Sequence, residues 1–117
     1  MRMEVLFAGV RVRSIEAATD WWTRLFGREP DMVPYEDEAM WRVAGAGWLF
    51  VRRDPSRAGD SLVTICVDDL QVTTAELAER SIDFGPIAAV SDEARKAIGQ
   101  DPDGNTVELI EVSSREG

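Results

Sequence analysis

Four aromatic side chains, Phe7, Trp41, Trp48 and Phe50, and the guanidinium of Arg11 are the groups whose types and spacing suit them to hold a small molecule. Aromatic rings give large, stiff contact surfaces to planar guests, and their faces attract cations. Ordinary core packing is the better account of any one of them taken singly. Acid–base and metal chemistry have fewer candidates. Histidine is absent from the 117 residues, which removes the commonest metal ligand and the imidazole of any Ser-His or Cys-His pair. The single cysteine, Cys66, has no His or Lys nearby in sequence to activate it, so a small buried thiol is expected. Tyr35-Glu36-Asp37-Glu38 reads as a solvated turn without the oxygen-ligand spacing of a calcium loop.

The elements that must position these groups follow from periodicity. Residues 3–12 alternate as a strand, with Phe7, Gly9 and Arg11 on one face and Leu6, Ala8, Val10 and Val12 on the other. Ser14 reads as the N-cap of an amphipathic helix over 15–26, whose stripe is Ile15, Ala18, Trp22, Leu25 and Phe26 and whose stop is Gly27. Trp22 belongs to the core and Trp21 to the flank or an interface. Residues 29–35, with two prolines, form an edge strand or irregular chain. Residues 39–43 and 48–52 form a hairpin around Ala44-Gly45-Ala46-Gly47; an even loop sets Val43 opposite Trp48 and Trp41 opposite Phe50, whereas an odd loop splits them. After the linker-like stretch 54–60 the order restarts: strand 62–67, a helix capped by Asp69 running to about 80, strand 82–90, and strands 95–99 and 106–112 around Asp101-Pro102-Asp103-Gly104-Asn105.

Both halves thus read strand–helix–strand–strand–strand, which gives an α+β fold of two similar modules within one domain over 1–117. Module one covers about 1–54, the linker about 55–61 and module two about 62–113. Thirteen Lys and Arg against 22 Asp and Glu leave a net charge of −9, a surface that repels phosphate backbones and makes nucleic acid an unsuitable partner. The same charge keeps the chain soluble and would attract cationic ligands. No apolar run is long enough for a membrane helix and no secretory signal is evident, so the cytoplasm is the expected compartment.

Three motifs fall in order along the chain: Val10-Arg11-Val12 leading to Asp20-Trp21-Trp22-Thr23-Arg24-Leu25-Phe26-Gly27, then Val67-Asp68-Asp69-Leu70, then Asp101-Pro102-Asp103-Gly104-Asn105-Thr106-Val107-Glu108-Leu109. With the βαβββ repeat they resemble the vicinal-oxygen-chelate superfamily, which includes glyoxalase I, extradiol dioxygenases, fosfomycin-modifying enzymes and bleomycin-resistance proteins. The resemblance implies two βαβββ modules that bend an antiparallel sheet into a cup around a cavity. Metal enzymes of this type place one ligand on the first strand and one on the last strand of each module. Those positions fall on Phe7, Phe50, Leu62 and Glu108, of which only the last has donor atoms for a metal. No cofactor is therefore expected, and the likeness moves toward the metal-free, bleomycin-resistance-like members.

The resemblance implies that Phe7, Arg11, Trp41, Trp48, Phe50, Leu62, Arg95 and Glu108 line a ligand cavity in a homodimer. Apolar walls would supply affinity, and Glu108, Arg11 and Arg95 would fix the orientation of an aromatic or amphipathic compound such as a bleomycin-type antibiotic. Beside Phe7, Phe50 and Leu62, Glu108 would be desolvated toward its neutral form unless Arg95 or Arg11 satisfied it. Two alternatives remain. One is a metal-independent lyase or isomerase with Glu108 as general base; the other is a protein–protein module that kept the fold and lost the pocket.

Overall fold

The computed structural model describes residues 1–113. The chain divides into two compact units, Met1–Ser61 with Asp101–Asn105, and Leu62–Gln100 with the chain from Thr106.

The first unit contains β1 (Leu6–Val12), α1 (Ile15–Phe26), β2 (Met32–Tyr35), β3 (Glu38–Ala44) and β4 (Gly47–Arg53). Its sheet order is β1-β4-β3-β2. Alternation in β1 sends Val10 and Val12 into the core, and α1 covers that face with Ala18, Trp21, Trp22 and Leu25. The helix starts where Ser14 Oγ accepts the Ala17 N–H at 3.1 Å, a cap whose loss typically costs about 1 kcal/mol. It ends at Gly27, whose φ of 74° is the left-handed conformation that glycine enters without Cβ strain. Trp21 is buried rather than flanking, edge-on to Trp22 at 5.1 Å between ring centroids. Phe26 then bridges Trp22 at 5.7 Å and Trp41 at 5.5 Å.

The turn Asp101–Asn105 belongs to this unit, although it joins two strands of the second module. Asp101 Oδ1 accepts the Asp103 and Asn105 N–H groups at 3.0 and 2.8 Å. Its Oδ2 accepts Trp22 Nε1–H at 3.3 Å. Fully buried Asn105 donates to the Arg11 carbonyl at 3.0 Å and accepts the Ser61 N–H at 2.9 Å. Buried polar groups persist only when paired, and here the pairing is what ties the turn to β1 and α1.

The second unit contains β5 (Leu62–Cys66), α2 (Leu70–Glu79), β6 (Ala88–Ala89), β7 (Ala94–Gln100) and β8 (Thr106–Val112), in sheet order β5-β8-β7-β6. Asp69 Oδ1 caps α2 by accepting the Val72 N–H at 3.0 Å, and Leu70, Leu77, Ile82, Ala97, Val107 and Leu109 are its buried side chains. The strand expected over 82–90 shrinks to Ala88–Ala89. Pro86 has no N–H to give a ladder, and Phe84 folds over Gly99, where a Cβ would lie 3.0 Å from the ring.

Both modules are βαβββ and the fold is α+β, but the sheets are mixed rather than antiparallel. β1 runs parallel to β4, and β5 parallel to β8. Parallel neighbours need a long connection, and the helix and two intervening strands of each module supply it.

Candidate functional site

The face of the first sheet turned away from α1 is built from three cross-strand rungs: Phe7 beside Trp48, Gly9 beside Phe50, and Arg11 beside Arg52. Their strand neighbours Val10, Leu49 and Val51 are buried on the helix side, so the alternation itself leaves this row outward. Phe7 is 53% exposed and stacks on half-buried Trp48 with centroids 6.1 Å apart and planes at 28°. Phe50 lies across Gly9 so closely that a Cβ there would stand 2.5 Å from its Cζ. The Arg52 guanidinium sits 5.0 Å above the Phe50 ring, a cation–π contact, and its Nε reaches buried Glu38 Oε1 at 2.7 Å. Arg11 Nε lies 3.2 Å from Asp54 Oδ2. Gly9, Arg11, Phe50 and Arg52 line a hollow of about 180 Å³.

Trp41 is not part of this face. A bulge between Arg42 and Ala44 shifts the hairpin register, setting Trp41 opposite Leu49 and Arg42 opposite Trp48. One extra residue on one strand turns every side chain beyond it to the other side. Trp41 is consequently fully buried toward α1, with Nε1–H donating to the Arg28 carbonyl at 3.1 Å. Glu38 also departs from the solvated turn expected of its segment, because its partner Arg52 draws it under cover.

In the second unit, Leu62, Thr64 and Cys66 alternate outward and are exposed, and β8 places Thr106, Glu108 and Ile110 beside them. Cys66 is thus exposed rather than buried. Glu108 accepts Thr64 Oγ1–H at 2.9 Å and Lys96 Nζ–H at 3.3 Å. The Thr64 hydroxyl first, and Lys96 after it, hold the Glu108 carboxyl below its ordinary value. The expected drift toward a neutral acid is reversed, since hydrogen bonds to the charged form outweigh desolvation here. Arg95 stands on the other face of β7, where Nη2 donates to Glu111 at 3.2 Å, and Glu111 in turn accepts the Leu70 N–H at 2.8 Å. It steadies the start of α2 and does not meet Glu108. Sequence reasoning missed Lys96, although it shares the parity of Ile98, the residue opposite Glu108. It also missed Arg52, two positions along from Phe50 and outward with it.

The four residues that the resemblance sets at ligand positions do not fit a metal ion. Phe7 and Phe50 in the first unit and Leu62 in the second have no lone pair to give, and Glu108 is engaged by Thr64 and Lys96. Among the described residues no group of three or more Cys, Asp or Glu side chains is arranged to hold one. No helix among them is long and apolar enough to cross a membrane.

The fold and its outward strand rows are those of the vicinal-oxygen-chelate architecture. A glyoxalase/bleomycin resistance protein from Catenulispora acidiphila is 33% identical, with 92% of this chain and 97% of that one covered at a TM-score of 0.86. The chain belongs to the glyoxalase/bleomycin-resistance family of the vicinal-oxygen-chelate superfamily. Two further solved structures share its fold. TnmS3, an antibiotic-binding protein from Streptomyces sp. CB03234, is 21% identical over 96% of this chain and 98% of its own, with a TM-score of 0.77. The fosfomycin resistance protein FosX of Listeria monocytogenes is 14% identical over 95% and 94%, with a TM-score of 0.74. No family model and no curated protein matches the sequence.

Proposed function

We propose that the protein binds a small organic molecule without a metal and without turnover, sequestering it against the outward face of the first sheet. The observation that carries this reading is the exposed Phe7–Trp48 stack beside the Gly9–Phe50 rung. Large rings left outward at a family's ligand positions are costly to expose, and they suit a flat or amphipathic guest. An antibiotic is the class of guest that TnmS3, a neighbour in fold, is described as binding. The working form on this reading is a cytoplasmic homodimer. A second copy would shield the apolar residues Leu6, Phe7, Leu62 and Ile98, which are exposed in the single chain. Catalysis by Glu108 loses support, because a carboxylate held below its ordinary value by Thr64 and Lys96 is a weaker base.

Tryptophan fluorescence tests the reading directly. Trp21, Trp22 and Trp41 are buried, and Trp48 alone is half-exposed. Titration with a panel of flat aromatic compounds, antibiotics among them, is expected to quench or shift the emission. Trp48→Ala is expected to abolish that response and weaken binding by about 1–3 kcal/mol, the usual range for an aromatic anchor. An unchanged signal across the panel, with no binding by calorimetry, would remove the proposal.

A further inference from the structure

We infer that the guest of the first sheet carries an acidic group, a carboxylate or similar oxyanion, which is held between Arg11 and Arg52. The inference rests on the reading of this face as a binding surface and names the chemistry of what binds there. β1 and β4 set Arg11 and Arg52 directly beside each other. Like charges at opposed positions on one sheet face repel; Asp54 and Glu38 each offset one of the two, and an oxyanion between the guanidinium groups adds to that from the open side. Each guanidinium is already oriented through Nε, Arg11 by Asp54 at 3.2 Å and Arg52 by Glu38 at 2.7 Å. The side chains remain 49% and 51% exposed, and among the described residues their Nη groups make no hydrogen bond. Their Nη–H groups keep donor capacity in the planar geometry that matches a carboxylate or phosphate.

The rest of the hollow suits what would be attached to such a group. Gly9 contributes no side chain and Phe50 supplies an aromatic wall one rung from the arginines. The Phe7–Trp48 stack stands one rung further. Rungs on one face recur about every 6.7 Å, so an acid at the arginines sets its attached ring beside Phe50, along the row toward the Phe7–Trp48 stack. The net charge of −9 favours cations at long range, but surface fields are screened within about 8 Å at physiological salt. At contact the two guanidinium forks decide. An aromatic acid differs from the cationic guest that the ring faces and the net charge suggest.

Calorimetric titration of the full chain with 2-naphthoate, 2-naphthylmethanol and 2-naphthylmethylammonium compares one ring system carrying three charges. Naphthoate is expected to bind about tenfold or more tightly than the alcohol, the worth of one charge-assisted hydrogen bond, and the ammonium least. Arg11→Gln is expected to bring naphthoate down about tenfold, toward the alcohol, and to weaken the alcohol by much less. Arg52→Gln strips Glu38 of its partner and endangers folding, so Arg52→Lys, which keeps the charge and loses the fork, replaces it if circular dichroism shows loss of structure. A naphthoate weakened clearly more than the alcohol with Arg52→Lys supports the inference, and equal weakening of the two overturns it. Equal binding of the alcohol or the ammonium overturns it and leaves the binding function standing. Failure of all three compounds, and of every flat compound in the wider panel, overturns the binding function beneath it.

Discussion

The outward faces of the two sheets share one topology and differ in nearly every side chain. In the first, the parallel pair of outer and inner strands presents Phe7 with Trp48, Gly9 with Phe50, and Arg11 with Arg52. In the second, the corresponding rungs are Leu62 with Thr106, Thr64 with Glu108, and Cys66 with Ile110. Where one module lays a phenyl ring across a glycine, the other has a hydroxyl donating to a carboxylate. A βαβββ module thus fixes where outward positions fall and leaves their chemistry open. The first face leaves aromatic rings and two guanidinium groups outward, the groups on which the proposed binding rests. The second spends its carboxylate on Thr64 and Lys96.

The largest effect that sharpens this contrast comes from tryptophans on opposite sides of one hairpin. Trp41→Ala is expected to destabilise the fold by about 3–5 kcal/mol, since it empties a fully buried site between β3 and α1. Trp48→Ala is expected to cost about 1 kcal/mol or less, because its ring is half-exposed and one stacking partner is lost. Urea unfolding followed by circular dichroism separates them. Equal losses would mean that Trp48 is core after all and that the outward face of the first sheet is not a surface.

How much of this was legible in the sequence depends on the range of the interaction. Ser14, Gly27 and Asp69 were readable because a cap is settled by a few consecutive residues. The turn Asp101–Asn105 was readable for the same reason, although its attachment to Trp22 and Arg11 was not. The position of Trp41 was not readable: a single bulged residue near Val43 decides which face it takes, and alternation does not announce a bulge. Gly9 could be placed on the face of Phe7, but its service to Phe50 depends on a parallel pairing between distant strands. Arg95 and Lys96 differ only in parity. Counting back from the turn pairs Gln100 with Thr106 and Ile98 with Glu108, which puts Lys96 rather than Arg95 on the side of Glu108.

Gly9→Ala probes the first face at its narrowest point. The added Cβ would stand 2.5 Å from Phe50 Cζ and 2.7 Å from Cε2, so the ring must swing off β1. Overpacking of this kind costs about 1–3 kcal/mol, and swinging the ring also takes away the aromatic wall beside Arg11 and Arg52. Thermal unfolding should show a modest loss of stability, and calorimetry a larger loss of naphthoate binding. Thr64→Ala, at the matching rung of the second module, should leave naphthoate binding unchanged. If Gly9→Ala binds naphthoate like the parent chain, the hollow beside Phe50 is not where the guest sits.

The smallest effect lies on the second face and concerns proton uptake. Thr64 Oγ1–H and Lys96 Nζ–H both favour the charged form of Glu108, which lowers its pKa in the folded chain. A folded-state pKa below the unfolded value means that the carboxylate adds stability above the unfolded value. That contribution is lost as pH falls through the lowered folded-state value. At neutral pH it is fully present, so acidification below the ordinary glutamate range is the direction in which it disappears. Thr64→Val removes the larger of the two donors while keeping the β-branched shape of the strand residue. Carbon-13 NMR titration of the Glu108 carboxyl should then show its pKa rising toward the ordinary value, with Lys96→Gln giving a smaller rise. A pKa that stays put in Thr64→Val, or moves further with Lys96→Gln, would mean that Lys96 rather than Thr64 governs the acid. The second face would then hold an ion pair of the same standing as the arginine pairs of the first.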